Sequence, residues 1–154
     1  MKILLPVDGS KYSSAAVQEL LSRPWPTGTQ VEVFSVAQTA PESLDPMLVG
    51  RSIYLDTLEW ATKRAHENVD EAGEAITQGT SLLNVFTKVV EGSGKEAILQ
   101  EAAEWGADLI LMGSHGYGLA MHFLLGSVSH AVALHAPCSV EIVRSRTVEA
   151  APKG

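Results

Sequence analysis

The feature that most constrains the fold of this chain is a regular alternation of short apolar segments with longer helical patterns. Apolar, β-branched runs predict five strands, at 2–7, 30–36, 85–90, 108–112 and 138–144. Helical spacing predicts four helices, over 10–22, 51–78, 96–105 and 128–135. No hairpin signal joins neighbouring strands, so each is expected to pair in parallel after a helical crossover. We therefore predict the fold class α/β: a single-domain, five-stranded open parallel sheet with helices on both faces, Rossmann-like or flavodoxin-like, in strand order 3-2-1-4-5.

The longest helical pattern has one continuous apolar face, whose residues recur at steps of three and four: Leu58, Ala61, Ala65, Val69, Ala72 and Ile76. Gly79 is the predicted end of this helix, and Gly106 is the predicted C-terminal cap of the next one. Trp60 and Trp105 are predicted to be packing residues. The preceding segment, 37–50, contains proline and glycine and is predicted to be a mobile loop that responds to a bound ligand.

Composition argues against several classes of function. A net charge of -7 and a pI near 5.1 disfavour nucleic-acid and membrane-surface binding, which need a basic face. No apolar run approaches the roughly 20 residues that span a bilayer, and the opening run is too short for a signal peptide. The single cysteine, Cys138, excludes an internal disulfide, and we interpret it as a small buried side chain. We expect a cytoplasmic protein with one domain at 2–146 and a disordered tail at 147–154.

A glycine-bearing segment follows the fourth predicted strand and leads into the last predicted helix. Its spacing is Gly113-x2-Gly116-x9-Gly126-Ser127. Glycines let the main chain approach a phosphate closely, and the first N–H groups of a helix have no partners within it. The hydroxyls of Ser127 and Ser129 would add donors at the same place. The pattern predicts a nucleotide site, with ATP the expected ligand; the alternative is a flexible loop whose glycines serve only turns.

Two further residues are candidates for the same site. Asp8 follows the first strand as Gly113 follows the fourth, and ligands of such sheets bind where the strand order reverses. Asp8 would take a ribose hydroxyl or a Mg²⁺-bound water, or would only cap the first helix together with Ser10. His115 either donates to a phosphate or has no role in the loop.

Other chemistry is missing from the sequence. The run Gly92-Ser93-Gly94-Lys95 hints at a P-loop but fails, because Val89 stands at the first glycine position and Glu96 replaces the Ser or Thr that holds Mg²⁺. The histidines have no metal-ligand spacing. Between 113 and 129 no lysine or arginine is present to stabilise a phosphoryl group in transfer. The loop is therefore predicted to hold a nucleotide rather than to turn it over quickly.

Four blocks, in order, resemble the universal stress protein family. They read ILLPVDGS at 3–10, ADLILMGSHG at 107–116, LGSVS at 125–129 and HAPCSV at 135–140. The resemblance extends from residue 2 to about residue 144, nearly the whole chain. The ATP-binding members of that family are marked by the same glycine spacing.

The resemblance implies a set of site residues. Gly113, Gly116, Gly126 and Ser127 would hold the phosphates and ribose, and four further positions would line the site: Met112, His115, Val128 and Ser129. Pro6, Val7 and Asp8 would lie near the adenine and ribose, and Val36 would offer main-chain groups to the adenine edge. It also implies Mg²⁺ or Mn²⁺ carried by the ATP phosphates, and a homodimer formed through the last strand, 138–144. Glu141 departs from the aliphatic residue that is usual in that strand.

Three functions follow as hypotheses. The preferred one is an ATP-dependent regulatory module that forms a homodimer, hydrolyses ATP slowly at most and acts on an unknown protein partner. The second is an interaction protein whose pocket stays empty. The third is an adenylating or ATP-pyrophosphatase enzyme, which would need a longer loop than 8–10 after the first strand.

Overall fold

The computed structural model describes residues 1–38, 50–116 and 125–145, and in these ranges five strands alternate with four helices. The strands are β1 (Lys2–Pro6), β2 (Gln30–Gln38), β3 (Asn84–Gly92), β4 (Leu109–Gly113) and β5 (Ser139–Val143). The helices are α1 (Lys11–Ser22), α2 (Arg51–Gly79), α3 (Gly94–Trp105) and α4 (Ser127–His135). The predicted tail and most of the predicted mobile loop at 37–50 lie outside the described residues.

All five strands form one parallel sheet in the order β3-β2-β1-β4-β5, which confirms the predicted fold class. The chain lays down β1, β2 and β3 in one direction, then returns to the other side of β1 for β4 and β5. The strand order therefore reverses between β1 and β4. In sheets of this kind ligands bind beyond the carboxyl ends of the strands at that reversal.

Each face of the sheet has its own apolar core. On one face α1 and α2 pack through residues such as Leu20, Val69 and Ile76. On the other, α3 and α4 pack through Ile98 and Val132 among others. Because both faces of β1 and β4 are covered, these strands are apolar along their whole length, which is why they read as continuous hydrophobic runs.

Element ends follow local chain chemistry. Gly106 adopts a left-handed conformation, φ 73° and ψ 50°, as predicted for the cap of α3. β2 continues two residues past its predicted end because its pairing with β3 extends to Gln38 opposite Gly92. α3 begins at Gly94 rather than at the predicted Glu96. The end of β2 differs from the predicted one because it depends on pairing with β3, which the local sequence does not encode.

The sheet edge at β5 contains the residue that departs from the family pattern. Glu141 accepts a hydrogen bond from Arg23, which follows α1, and the Arg23 guanidinium also pairs with Glu19 at 3.2 Å. The carboxylate at this position is therefore neutralised by the chain's own α1 end. Since β5 is an end strand of the sheet, its outer main-chain groups have no strand beside them within the described residues.

One charged cluster is built into the sheet away from its carboxyl edge. Glu32 on β2 is buried, and one of its carboxyl oxygens has no hydrogen-bond partner. Next to it Lys88 donates to the buried Glu101 of α3. Burial first, then the charge and hydrogen bonding of Glu101, raise the pKa of Glu32 to about 7, against the opposing charges of Lys88 and Lys2.

No helix among the described residues is long and apolar enough to cross a membrane.

Candidate functional site

A cavity of about 790 Å³ opens at the carboxyl edge of the sheet, at the reversal of strand order. It lies where β1, β2 and β4 end, between the first residues of α3 and α4 and one face of α2. The structure brings all of the sequence-predicted site residues to its lining: Pro6, Val7, Asp8, Val36, Met112, Gly113, His115, Gly116, Gly126, Ser127, Val128 and Ser129.

Gly113, His115, Gly116 and residues 126–129 line one side of the cavity, and the two segments 113–116 and 126–129 that carry them are here called the glycine wall. Gly113 is fixed by packing: a Cβ atom at this position would lie 2.5 Å from the main-chain carbon of Tyr12 and 2.6 Å from its oxygen. The close approach of α1 to β4 therefore demands a residue without a side chain. Packing therefore requires glycine at the first position of the motif whether or not a ligand binds.

The two ends of the glycine loop are tied together at one carbonyl group. The oxygen of Ser114 accepts the Gly126 N–H at 2.9 Å and the Ser129 hydroxyl at 2.7 Å. This closure positions the start of α4 directly beside the end of β4. Ser129 is buried, and its hydroxyl hydrogen is taken up by the main chain, so Ser129 is a poorer donor for a ligand than the sequence suggested.

α4 starts at Ser127 with Gly126 as its N-cap, and no side chain caps it. The N–H groups of the first turn have no intrahelical acceptor, and Gly126 at the N-cap has no side chain that could accept from them. Ser127 is exposed, and its hydroxyl makes no hydrogen bond within the described part of the chain. A helix start of this kind attracts an anion by its free N–H groups and by the helix dipole.

Asp8 uses its two carboxyl oxygens differently. Oδ1 accepts the Ser10 N–H at 2.9 Å, and Ser10 in turn caps α1 by accepting the Ser13 N–H at 3.2 Å. Oδ2 faces Gly116, where a Cβ atom would lie only 2.7 Å from it. The capping interpretation thus accounts for one oxygen, while the other stays available on the cavity side.

His115 also lines the cavity. Its Nδ1 atom is 3.0 Å from the Ser114 hydroxyl oxygen, and its ring centroid is 5.0 Å from that of Tyr12. These contacts orient the imidazole, and leave its Nε2 atom without a hydrogen bond from the described residues. No group of three or more metal-ligating side chains is found in the ranges that the structure describes.

The opposite side of the cavity comes from α2 and was missed in the sequence. Trp60, Arg64 and Asn68 line the cavity at steps of four residues; we call these three the α2 wall. Trp60 is 64% exposed, so its prediction as a packing residue was wrong, whereas Trp105 packs against the α3–α4 core. Arg64 also brings to the cavity the basic group that the glycine loop lacks. The repeat of four along α2 was the available signal, but the sequence did not show how far the helix extends past the sheet.

Several smaller contributions were also missed. They come mostly from strand ends and helix starts: Ser13, Phe34, Ser35, Gln38, Ala61, Ala65, Gly94 and Ile98. Ala61 and Ala65 were predicted only as part of the packing face of α2, and Gly94 only as part of a turn. Each becomes a lining residue because the cavity is formed between elements that are distant in the chain.

Comparison with known proteins agrees with this architecture. The family model described as the universal stress protein family matches residues 1–144. A universal stress protein of Thermus aquaticus is 31% identical over 142 residues, which cover 92% of this chain and 97% of the relative. The solved structure of a universal stress protein from Lactobacillus plantarum superposes with a TM-score of 0.79 at 24% identity, over 94% of this chain and 97% of that one.

Two more distant structural neighbours carry nucleotides. A universal stress protein family protein from Arabidopsis thaliana, solved with AMP bound, has a TM-score of 0.64 at 17% identity, over 96% of this chain and 93% of that one. A universal stress protein in complex with cAMP has a TM-score of 0.51 at 22% identity, over 94% of this chain and 96% of that one. At these identities the likeness shows a shared fold. Together with the family match over almost its whole length, it shows that this chain belongs to the universal stress protein family.

Proposed function

We propose that this protein binds an adenine nucleotide, ATP with Mg²⁺ or Mn²⁺, in the cavity at the carboxyl edge of its sheet. The observation that carries the proposal is the uncapped start of α4, which lines the same cavity as the glycines at 113, 116 and 126. Free N–H groups at a helix start, reached through small residues, are suited to phosphate. The negative net charge of the chain makes a locally built anion site of this kind necessary.

The adenine assignment is supported by the family. Neighbours of the same fold were solved with AMP and with cAMP, two adenine nucleotides with different phosphate groups. In this chain the glycine spacing that marks the ATP-binding members is intact. The free Oδ2 atom of Asp8 is suited to a ribose hydroxyl or to a water of a phosphate-bound metal ion. With no cluster of ligating side chains in the described residues, the metal would be held chiefly by the phosphates.

The same arrangement suits a regulatory module with slow hydrolysis at most. Among the described lining residues no hydroxyl is hydrogen-bonded to a side-chain base, and the Ser114 hydroxyl beside His115 is buried off the lining, so any hydrolysis would depend on a positioned water. We further propose a homodimer through β5, whose outer edge is open to pairing. The adenylating-enzyme alternative is disfavoured because α1 begins at Lys11, only a few residues after β1, which leaves no long phosphate loop there.

A thermal-shift titration with Mg-ATP, Mg-AMP and Mg-GTP tests the proposal. A ligand at about a hundred times its Kd adds roughly 2.7 kcal/mol to the free energy of unfolding, or about 5 °C in Tm for a chain of this size. We expect ATP to produce that shift and GTP a much smaller one. Gly116→Val should abolish it, because the new side chain meets the Asp8 carboxylate inside the cavity. Lys63→Ala, on the exposed outer side of α2, is the matched control and should keep the shift.

The result that overturns the proposal is the absence of any shift with protein shown to be free of copurified nucleotide. The interaction-protein hypothesis, in which the pocket stays empty, would then replace it. An equal shift in wild type and Gly116→Val would instead place the nucleotide elsewhere on the molecule.

A further inference from the structure

The α2 wall is the part of the cavity to which the proposed nucleotide function assigns no role. Trp60 is 64% exposed, so burial of its indole contributes little to folding. Two other large apolar side chains of α2, Ile53 and Leu55, are also exposed but do not line the cavity. Trp60 therefore differs from them in offering an open aromatic face to a bound molecule.

Arg64 stands one helical turn after Trp60, with its guanidinium carbon 5.9 Å from the indole ring centroid. Within the described ranges it has no carboxylate within 4.0 Å, in a chain that carries 18 acidic residues. Its neighbour Lys63, which does not line the cavity, is paired with Glu67 at 4.0 Å. The guanidinium is thus held beside an aromatic ring with its charge unneutralised.

Asn68 continues the same stripe of the helix one turn further on. It is half-buried at the cavity lining, and its amide makes no side-chain hydrogen bond to the described residues. Residues four apart lie on one helix face, so the indole, the guanidinium and the amide are presented in a row. An aromatic ring, a planar cation and an amide are the groups that proteins use to stack on and read a nucleobase.

The strand order fixes which end of a nucleotide would meet this row. The glycine wall belongs to β4 and α4, whereas α2 packs on β2, β3 and α1. β1 lies between them, so the two walls are separated by about two strand spacings, roughly 10 Å. If the phosphates lie on the free N–H groups of α4, the far end of the molecule, which is the base, is directed toward β2 and α2.

We propose that the α2 wall is the base-recognition surface of this cavity, with Trp60 and Arg64 stacking on the adenine and Asn68 hydrogen-bonding its amino edge. This inference rests on the proposed nucleotide function and adds the determinants of base selectivity to it. An amide accepts from the adenine amino group and donates to the adjacent ring nitrogen. Guanine presents two acceptors at the corresponding edge, which one amide cannot satisfy in the same pose.

Calorimetric titration of the full chain with Mg-ATP, Mg-GTP and inorganic tripolyphosphate separates the two ends of the ligand. Trp60→Ala should raise the Kd for ATP about tenfold, within the range that loss of one base–aromatic stack produces, and leave that for tripolyphosphate unchanged. Asn68→Leu, which removes the amide at similar volume, should reduce the preference for ATP over GTP by about tenfold. Ile53→Ala is the control on the same helix and should change none of these values.

The outcomes distinguish this inference from the function on which it rests. Suppose that the wild-type protein prefers ATP, that Gly116→Val no longer binds ATP, and that Trp60→Ala and Asn68→Leu both stay within twofold of wild type. That result would overturn the base-recognition role and leave the nucleotide function standing. A parallel loss of tripolyphosphate binding in Trp60→Ala would overturn it as well, because the wall would then act at the phosphate end. Wild-type protein that binds none of the three probes overturns both proposals.

Discussion

The glycine wall and the α2 wall face each other across the same cavity but are held in place by different means. The glycine wall presents main-chain groups, and its geometry is fixed by close contacts and by the Ser114 carbonyl, which accepts from Gly126 and Ser129. The α2 wall presents side chains from one helix, of which Trp60 is mostly exposed. The glycine wall is thus held by the packing of the folded core, whereas Trp60 of the α2 wall projects from a core helix with most of its surface exposed. Substitutions at the packed positions of the glycine wall, Gly113 and Ser129, should therefore lower stability, whereas substitutions at the exposed Trp60 of the α2 wall should change ligand affinity.

The largest effect is expected for Gly113→Ala. The new Cβ atom would lie 2.5 Å from the carbon and 2.9 Å from the next nitrogen of the α1 main chain, which cannot move aside as a side chain can. We expect a loss of about 3 kcal/mol or more in the free energy of unfolding, measured by urea denaturation. Gly126→Ala is the matched control, with the nearest contact at 3.2 Å, and should cost about 1 kcal/mol. Equal costs would show that α1 does not pack on β4 as closely as described.

A buried carboxyl group outside both walls should dominate the pH dependence of stability. The pKa of Glu32 is raised to about 7 in the folded protein, chiefly by burial and next by Glu101, from an ordinary value of 4.5. The folded state then binds the proton more tightly than the unfolded state, so stability falls as pH rises from about 4.5 to about 7 and is level above that range. Glu32→Gln should remove this fall, and should gain about 3 kcal/mol over wild type at pH 8 relative to pH 4.

Urea denaturation of wild type and Glu32→Gln at pH 4, 6 and 8 measures this difference, and subtracting the two pH profiles removes the contributions that both proteins share. Asp8→Asn, which removes a carboxylate of the cavity but keeps the oxygen that accepts from Ser10, is the control. A pH dependence that disappears in Asp8→Asn rather than in Glu32→Gln would mean that the cavity, and not the sheet interior, carries the titrating group.

The two serines of the glycine wall should separate structure from ligand binding within one motif. Ser129→Ala removes a buried hydroxyl that donates to the Ser114 carbonyl at 2.7 Å, and should lower the free energy of unfolding by about 1 kcal/mol. Ser127→Ala removes an exposed hydroxyl, and should leave stability within about 0.5 kcal/mol while raising the Kd for ATP. Urea denaturation and calorimetry on both variants check this. Loss of stability in Ser127→Ala alone would reverse the roles assigned here.

The contrast between the walls also explains what the sequence could predict. The alternation of strands with helices and the glycine wall follow from local signals, since a position such as Gly113, where a side chain has no room, appears in the sequence as a glycine at a fixed spacing. The strand order was predicted from the fold class that this alternation indicates. The α2 wall leaves no such mark, because Trp60 fits an amphipathic helix equally well as a packing residue. Its position depends on how far α2 extends beyond the sheet, which is set by tertiary packing. For the same reason Arg64 was absent from the predicted site, although it lies on the cavity lining.

The smallest effect on stability is expected for Trp60→Ala, although it removes the largest kind of side chain. With 64% of the residue exposed, there is little buried contact to lose, and the free energy of unfolding should stay within about 0.5 kcal/mol of wild type. Trp105→Ala provides the matched control, because that indole packs against the α3–α4 core and its loss should cost about 2 kcal/mol. Thermal and urea unfolding of both variants without ligand make the comparison. A cost for Trp60→Ala as large as that for Trp105→Ala would mean that the Trp60 indole is packed in solution, and an indole that is already packed is not free to stack on a base.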